Sequence, residues 1–240
     1  MREAAKKLSY VMDEAVRYVK PGISTRELDR ICEELILKEA CIPILKGYEG
    51  FPAAACISVN DQVGHGIPAD DHFLDEGDIV KIDTSLSNNG YCADCARTIP
   101  VGNVVPDLLD LIEASKNAFY AGFNAAAPGA HINDIGTAIE TYVTGKGYSV
   151  VRDMMGHGIG RELHEDPEIP HFNTGAAGDE LVPGMVICIE PMINMGDPDI
   201  VWGEDDWTVY TEDYSFSAHY ENTVLIGENG PEILTVTDRA

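Results

Sequence analysis

IVKIDTSLSNNGYCADCART, residues 79–98, sets two runs of strand-type residues on either side of Asn88-Asn89-Gly90, a turn signal that favours positive φ. Two hairpin registers are open. With Asn88-Asn89 as the loop, Asp83 lies directly opposite Asp94. With Asn89-Gly90 as the loop, the two acids are diagonal neighbours. In both they share one face, because strand side chains alternate with period 2. Like charges facing each other across a ladder are destabilising, and Ile79, Val80 and Ile82 mark a buried strand running up to Asp83. A cation between the carboxylates is therefore expected. Lys81, on the same face by alternation, could supply it as an ion pair; a bound metal is the sharper alternative.

The chain around this hairpin has 240 residues, the size of one domain or a closely fused pair, and is 45% hydrophobic, enough for a full core. No apolar run reaches the roughly 18 residues of a membrane-spanning helix. The opening MREAAKKLSYVMDEAV lacks the apolar core and cleavage site of a signal peptide, so a cytoplasmic location is expected. It begins inside a helical pattern without a cap, as a chain that had lost an N-terminal extension would. The six cysteines (Cys32, Cys41, Cys56, Cys92, Cys95 and Cys188) have no framework spacing and are expected to be reduced. Cys92 and Cys95, three apart on a strand, point to opposite faces and cannot readily share an ion. The net charge of −25 argues against a nucleic-acid site and favours cationic partners, metal ions or protonated amines. Much of that excess, including Glu204-Asp205-Asp206 and Glu212-Asp213, reads as solvated surface.

Residues 2–19 carry Leu8, Val11, Met12, Ala15, Val16 and Val19 at helical spacing, stopped by Lys20-Pro21-Gly22. Ser24-Thr25-Arg26-Glu27 reads as a capping box opening a second helix with Leu28, Ile31, Cys32, Leu35 and Ile36 on one face. A strand near residues 55–59 and a turn at Asn60-Asp61 lead to His65-Gly66-Ile67-Pro68. Beyond the hairpin, Pro106 starts a long helix with Leu108, Leu109, Ile112 and Phe119, and residues 132–143 form another, ended by Gly145 and Gly147. MVICIE (185–190) and YENTVLI (220–226) read as apolar strands carrying Glu190 and Glu221. KPGISTREL (20–28) and APGAHINDI (127–135) make a weak internal repeat, with a period far too long for a solenoid. Duplication of an ααβ unit around a shared sheet follows, giving an α+β fold with antiparallel strands and helices on one face. The halves run over about 1–100 and 101–240.

Gly156-His157-Gly158-Ile159-Gly160 sets a histidine between glycines, either an incidental loop histidine or one whose backbone can bend toward a centre. His164 follows seven residues later in an acidic segment. The motifs NDQVGHGIP (60–68), GDIVKIDTS (77–85), GYCADCART (90–98), GHGIGRELHEDP (156–167), ICIEPM (187–192) and SAHYENTVL (217–225), in this order, resemble the type I methionine aminopeptidases, peptidases of the pita-bread fold. The likeness runs from about residue 2 to 235.

The resemblance implies a single catalytic domain over 1–240 that removes the initiator methionine from nascent proteins and peptides. It implies that Asp83, Asp94, His157, Glu190 and Glu221 hold two divalent ions, with Asp94 and Glu221 bridging. Four carboxylates balance two such ions in charge, and mostly oxygen ligands with one nitrogen suit Mn²⁺, Fe²⁺ or Co²⁺, with Zn²⁺ admitted. Glu190 would also shuttle a proton, and His65 and His164 would contact the scissile peptide. Tyr48, Phe51, Cys56, Leu163 and Trp207 would line the side-chain pocket. Glu49, Gly64, Leu163 and Cys188 depart from the family's usual residues at their positions. Peptide substrates, including chains emerging from the ribosome, are the expected partners of a monomer, with no nucleic-acid site. Two rival readings are an Xaa-Pro-type aminopeptidase on the same fold and a non-catalytic binding module; five retained ligands speak against the latter.

Overall fold

The Asn89-Gly90 pair makes the hairpin turn, with φ of 55° and 73°, the double left-handed conformation that a two-residue type I′ turn requires. The computed structural model describes residues 1–238. In it the strands Ala55–Val59 (β1), Ile79–Asn88 (β2) and Tyr91–Pro100 (β3) pair antiparallel, with β2 in the middle. Ser85 faces Asp94 and Asp83 faces Ala96, so the two acids are diagonal neighbours, the second of the two expected registers. Alternation then divides the strand. Val80, Ile82 and Leu86 pack against the helices Arg2–Ala15 (α1) and Thr25–Lys38 (α2). Lys81, Asp83 and Ser85 occupy the other face, which is covered by the second half of the chain.

Lys81 does not pair with Asp83. Its Nζ donates to the carbonyls of Asn60 and Ser217, at 2.7 and 2.8 Å. Burial lowers its pKa to about 7. The ammonium ties the two halves together and is not a partner of the carboxylates.

The second half repeats this construction. Helices Pro106–Ala125 (α3) and Ile132–Gly145 (α4) cover a sheet in which Gly156–Gly158 (β4) and Asn222–Gly227 (β8) flank Val186–Ile189 (β5). The ladder continues in the same register through Met192–Asn194 (β6) and Ser217–His219 (β7). The repeat seen in sequence carries into backbone hydrogen bonding. Gly22 N–H donates to Leu74 O (2.7 Å) as Gly129 N–H does to Leu181 O (2.8 Å), and Thr25 donates to His72 (2.9 Å) as Ile132 does to Asp179 (3.0 Å). One constant offset in the numbering carries each of these residues onto its counterpart, and the same offset carries Asp83 onto Glu190.

Local expectations are met with two differences. Ser24 Oγ caps α2 by accepting from Glu27 N–H at 3.1 Å, but the Glu27 carboxylate turns to Arg30, so only one arm of the capping box forms. On α3, Leu109 is 45% exposed and Leu111 is buried, because the helix packs through Leu108, Leu111, Ala114, Ala118 and Phe119. The six cysteines are free and buried. Cys92 packs with Ile159, Leu163 and Cys188, and Cys95 with the α1–α2 core, on opposite faces as alternation requires.

Candidate metal centre

Where β2–β3 meets the ladder of the second half, the strands cross in a pseudo-symmetric pattern. Thr223 Oγ1 accepts from Asp94 N–H at 3.0 Å and donates to Asp94 O at 2.9 Å. Thr98 Oγ1 makes the same pair of bonds to the backbone of His219, at 2.9 and 2.8 Å. Between them Glu221 N–H donates to Ala96 O at 3.0 Å. Two buried hydroxyls thus fix the crossing, and Asp83, Asp94, Glu190 and Glu221 gather at it. Asp94 and Glu221 are 6% and 2% exposed.

His157 comes in from β4. The expectation of a loop or bend there is corrected: Gly156-His157-Gly158 is a buried strand. A Cβ on Gly156 would strike the carbonyl of Cys188, and one on Gly158 that of Asp166. The glycines permit close strand approach. His157 Nδ1 donates to Gly158 O at 2.8 Å, which leaves the lone pair on Nε2. That atom stands 3.5 Å from Glu190 Oε1 and 3.9 Å from Asp94 Oδ2.

Burial, then mutual repulsion, drives the carboxylates toward the neutral form. Asp83 is pushed up to about 7 by burial. Asp94, Glu190 and Glu221 lie well above the ordinary carboxylate range through burial and one another's charge. Burial, then His164, lowers His157 to about 4. Among the described residues, no Lys or Arg side chain pairs with these four acids, and the buried Asp94 Oδ1 and Glu221 Oε1 have no hydrogen-bond partner. Donor atoms of Asp94, His157, Cys188 and Glu221 lie within 4.8 Å of one another. Buried acceptors without donors, beside an imidazole lone pair, fit divalent cations. Cys188 was not expected in this group. Burial, then the carboxylates beside it, pushes its thiol well above the ordinary range, so it sits there protonated.

The acids and His157 line the floor of a cavity of about 370 Å³. Its walls include Tyr48, Phe51, Cys56, His65, His164 and Trp207, with Glu49 among them. Phe51 and Trp207 meet edge to face with centroids 5.1 Å apart. Asp205, expected as plain surface, accepts from Trp207 N–H at 2.9 Å and Thr208 N–H at 2.7 Å, and so shapes the loop carrying Trp207. Tyr48 Oη lies 2.7 Å from His164 Nδ1. Burial, then His164, lowers His65 to about 4; burial also lowers His164, against the pull of Glu49. Leu163, expected on the pocket wall, is 3% exposed in a core cluster with Cys92, Ile159 and Cys188, against which Tyr48 packs, and it is not among the residues lining the cavity.

Two histidines escaped the reading of the sequence. His171 Nε2 accepts from Glu190 N–H at 3.1 Å and fixes the end of β5. The seven-residue step from His157 to His164 to His171 was its only trace. His219, two residues before Glu221, has Nε2 at 3.8 Å from Glu190 Oε2.

The model of metallopeptidase family M24 matches residues 1–228. A methionine aminopeptidase of Clostridium perfringens is 49% identical over 236 residues, covering 98% of this chain and 94% of the relative. Methionine aminopeptidase 1 of Bacillus subtilis is 46% identical, covering 98% and 94%. The crystal structure of methionine aminopeptidase from Rickettsia prowazekii superposes with a TM-score of 0.96 at 39% identity, covering 98% of this chain and 95% of that one. With the donor set described, these matches mark a divalent-metal hydrolase of the pita-bread fold. The chain belongs to metallopeptidase family M24, and within it to the methionine aminopeptidases.

Proposed function

We propose that the chain is a single catalytic domain that hydrolyses the first peptide bond after an N-terminal methionine, in peptides and in nascent proteins. One observation carries this: a cavity of about 370 Å³ has carboxylates and an imidazole on its floor and Tyr48, Phe51, Cys56 and Trp207 on its walls. A thioether is polarizable and packs well against aromatic edges and sulfur.

Asp83, Asp94, His157, Glu190 and Glu221 would hold two divalent ions, Mn²⁺, Fe²⁺ or Co²⁺ in preference and Zn²⁺ in addition. When bound, such ions lower the pKa of water and stabilise a developing oxyanion. Glu190 accepts the proton of the attacking water and delivers it to the departing amine nitrogen. With its hydroxyl 2.7 Å from His164 Nδ1, Tyr48 would donate there and so leave the ring's proton on Nε2 for the substrate carbonyl oxygen. His65, kept neutral by burial, contacts the scissile nitrogen. Tyr48, Phe51, Cys56 and Trp207 enclose the methionine side chain, with Leu163 supporting Tyr48 from behind. The enzyme acts as a cytoplasmic monomer on free peptides and on chains leaving the ribosome. No helix among the described residues is long and apolar enough to cross a membrane.

The test compares Met-Ala-Ser with Ala-Pro peptides, using protein loaded in turn with Mn²⁺, Fe²⁺ and Co²⁺. Methionine release is expected, and its loss on His157→Ala or Asp94→Ala. No release with any ion, or faster cleavage of Ala-Pro, would overturn the reading.

A further inference from the structure

The pseudo-two-fold relation between the halves assigns every residue at the crossing a counterpart. Asp83, on β2, and Glu190, directly after β5, correspond. On the neighbouring strands, Asp94 faces Ser85 and His219 faces Met192, and Ser85 and Met192 are themselves counterparts by the offset that relates Asp83 to Glu190. The threonine clamps give the same equivalence independently. Thr223 brackets the backbone of Asp94 as Thr98 brackets that of His219. His219 therefore occupies in the second half the position that delivers an acid to the centre in the first.

Its side chain is built into this position. His219 is 3% exposed, and among the described residues its Nε2 has no hydrogen-bond partner. Glu190 Oε2 lies 3.8 Å away, while Oε1 of the same carboxylate turns to His157 at 3.5 Å. The two imidazoles differ in what holds them. His157 is locked by its Nδ1 bond to Gly158, which presents a lone pair inward. Among the described residues no such backbone bond fixes the tautomer of His219, and a facing carboxylate selects the tautomer with its proton on Nε2.

We infer that His219 is a positioning residue of the metal centre: it donates Nε2–H to Glu190 Oε2, holding that carboxylate so that Oε1 faces the ions beside His157. Ligating carboxylates commonly need such outer partners, and removing one typically weakens metal affinity by about 10- to 100-fold. The inference rests on the five-residue metal centre proposed above. The clamp from Thr98 touches only the backbone of His219, so the side chain can be changed without breaking the strand crossing.

The experiment measures Co²⁺ binding to the full chain by calorimetry, with thermal melting of the metal-free proteins as the control for folding. His219→Gln keeps an N–H donor at comparable reach; His219→Met keeps the volume and loses the donor. Binding by His219→Met roughly 10- to 100-fold weaker than wild type is expected, with His219→Gln restored to within about threefold and the metal-free melts of the two alike. In the Co²⁺-loaded crystal structure, Nε2 to Oε2 should close to about 2.7–3.2 Å. Equal binding by all three proteins overturns the inference, as does equal weakening in both variants. A crystal structure with Nε2 on the metal overturns it as well. Absence of Co²⁺ binding by the wild type would instead remove the metal-centre reading, and this inference with it.

Discussion

Replacing Thr223 by valine removes one hydroxyl and keeps the shape of the side chain. The lost atom serves two backbone groups of Asp94, accepting from N–H at 3.0 Å and donating to C=O at 2.9 Å. Thr223 is fully buried, so no water replaces it. A buried polar group left without its partner costs about 1–3 kcal/mol. Two of them give roughly 2–6 kcal/mol, a fall in Tm of about 5–20 °C for a chain of this size. Thr98→Val removes the matching pair of bonds to His219 and should cost the same to within about 1 kcal/mol. Urea unfolding of the metal-free proteins measures both, with an unchanged m-value showing that the folded states are comparable. A loss below about 0.5 kcal/mol for either variant, or a cost for Thr223→Val with none for Thr98→Val, would refute the view that paired hydroxyls fix the crossing.

Asp83→Asn isolates one carboxylate of the centre. Burial raises the pKa of Asp83 from 3.8 to about 7 in the fold, so its contribution is intact below about pH 4 and is lost as pH rises through 7, where the unfolded chain has already released its proton. In chelator, the variant should therefore match wild type near pH 4 and exceed it near pH 8 by on the order of a few kcal/mol. Added Mn²⁺ should reverse that ranking; thermal melts that rank the two proteins alike with and without Mn²⁺ would count against a metal at Asp83. Tyr48→Phe removes the bond to His164 Nδ1 and should lower kcat/KM about 5- to 15-fold with little change in melting; an unchanged kcat/KM would dismiss the tautomer argument. Asp205→Ala frees the Trp207 turn and should raise KM for Met-Ala-Ser several-fold more than it lowers kcat, which steady-state kinetics reads directly.

The hairpin was legible because strand parity is local. Asn89-Gly90 fixes the turn, and the turn fixes which side of the sheet Asp83 and Asp94 share. The repeat was legible at Pro-Gly, because a helix stop and restart leave a local signature that survives duplication. The face of α3 was legible in part: Leu108, Ile112 and Phe119 pack inward as expected, while Leu109 carried a misleading signal and the inward Leu111, Ala114 and Ala118 were missed. Glu190, Glu221 and His157 had spacing that permitted a site without requiring one; the family's motifs singled them out. His171 bonds the backbone of Glu190 and His219 lies beside its carboxylate, both from segments well separated from it in the chain, and no spacing rule reaches that far. Leu163 illustrates the converse: its place in a motif promised a pocket wall, and the fold buries it in the core cluster against which Tyr48 packs.

The seam on which the acids stand has a mechanical meaning. Asp83 and Asp94 belong to one half of the chain, and His157, Glu190 and Glu221 to the other. An ion bound there is a rivet driven through both plates. Its binding energy is at once docking energy between the halves, available only when both are folded and in register. Stripping the ions would then loosen the seam before either helical layer. Amide exchange along β3 and β7–β8 would rise while the interiors of α1 and α3 stayed protected. Metal supply would set the enzyme's rigidity as well as its rate.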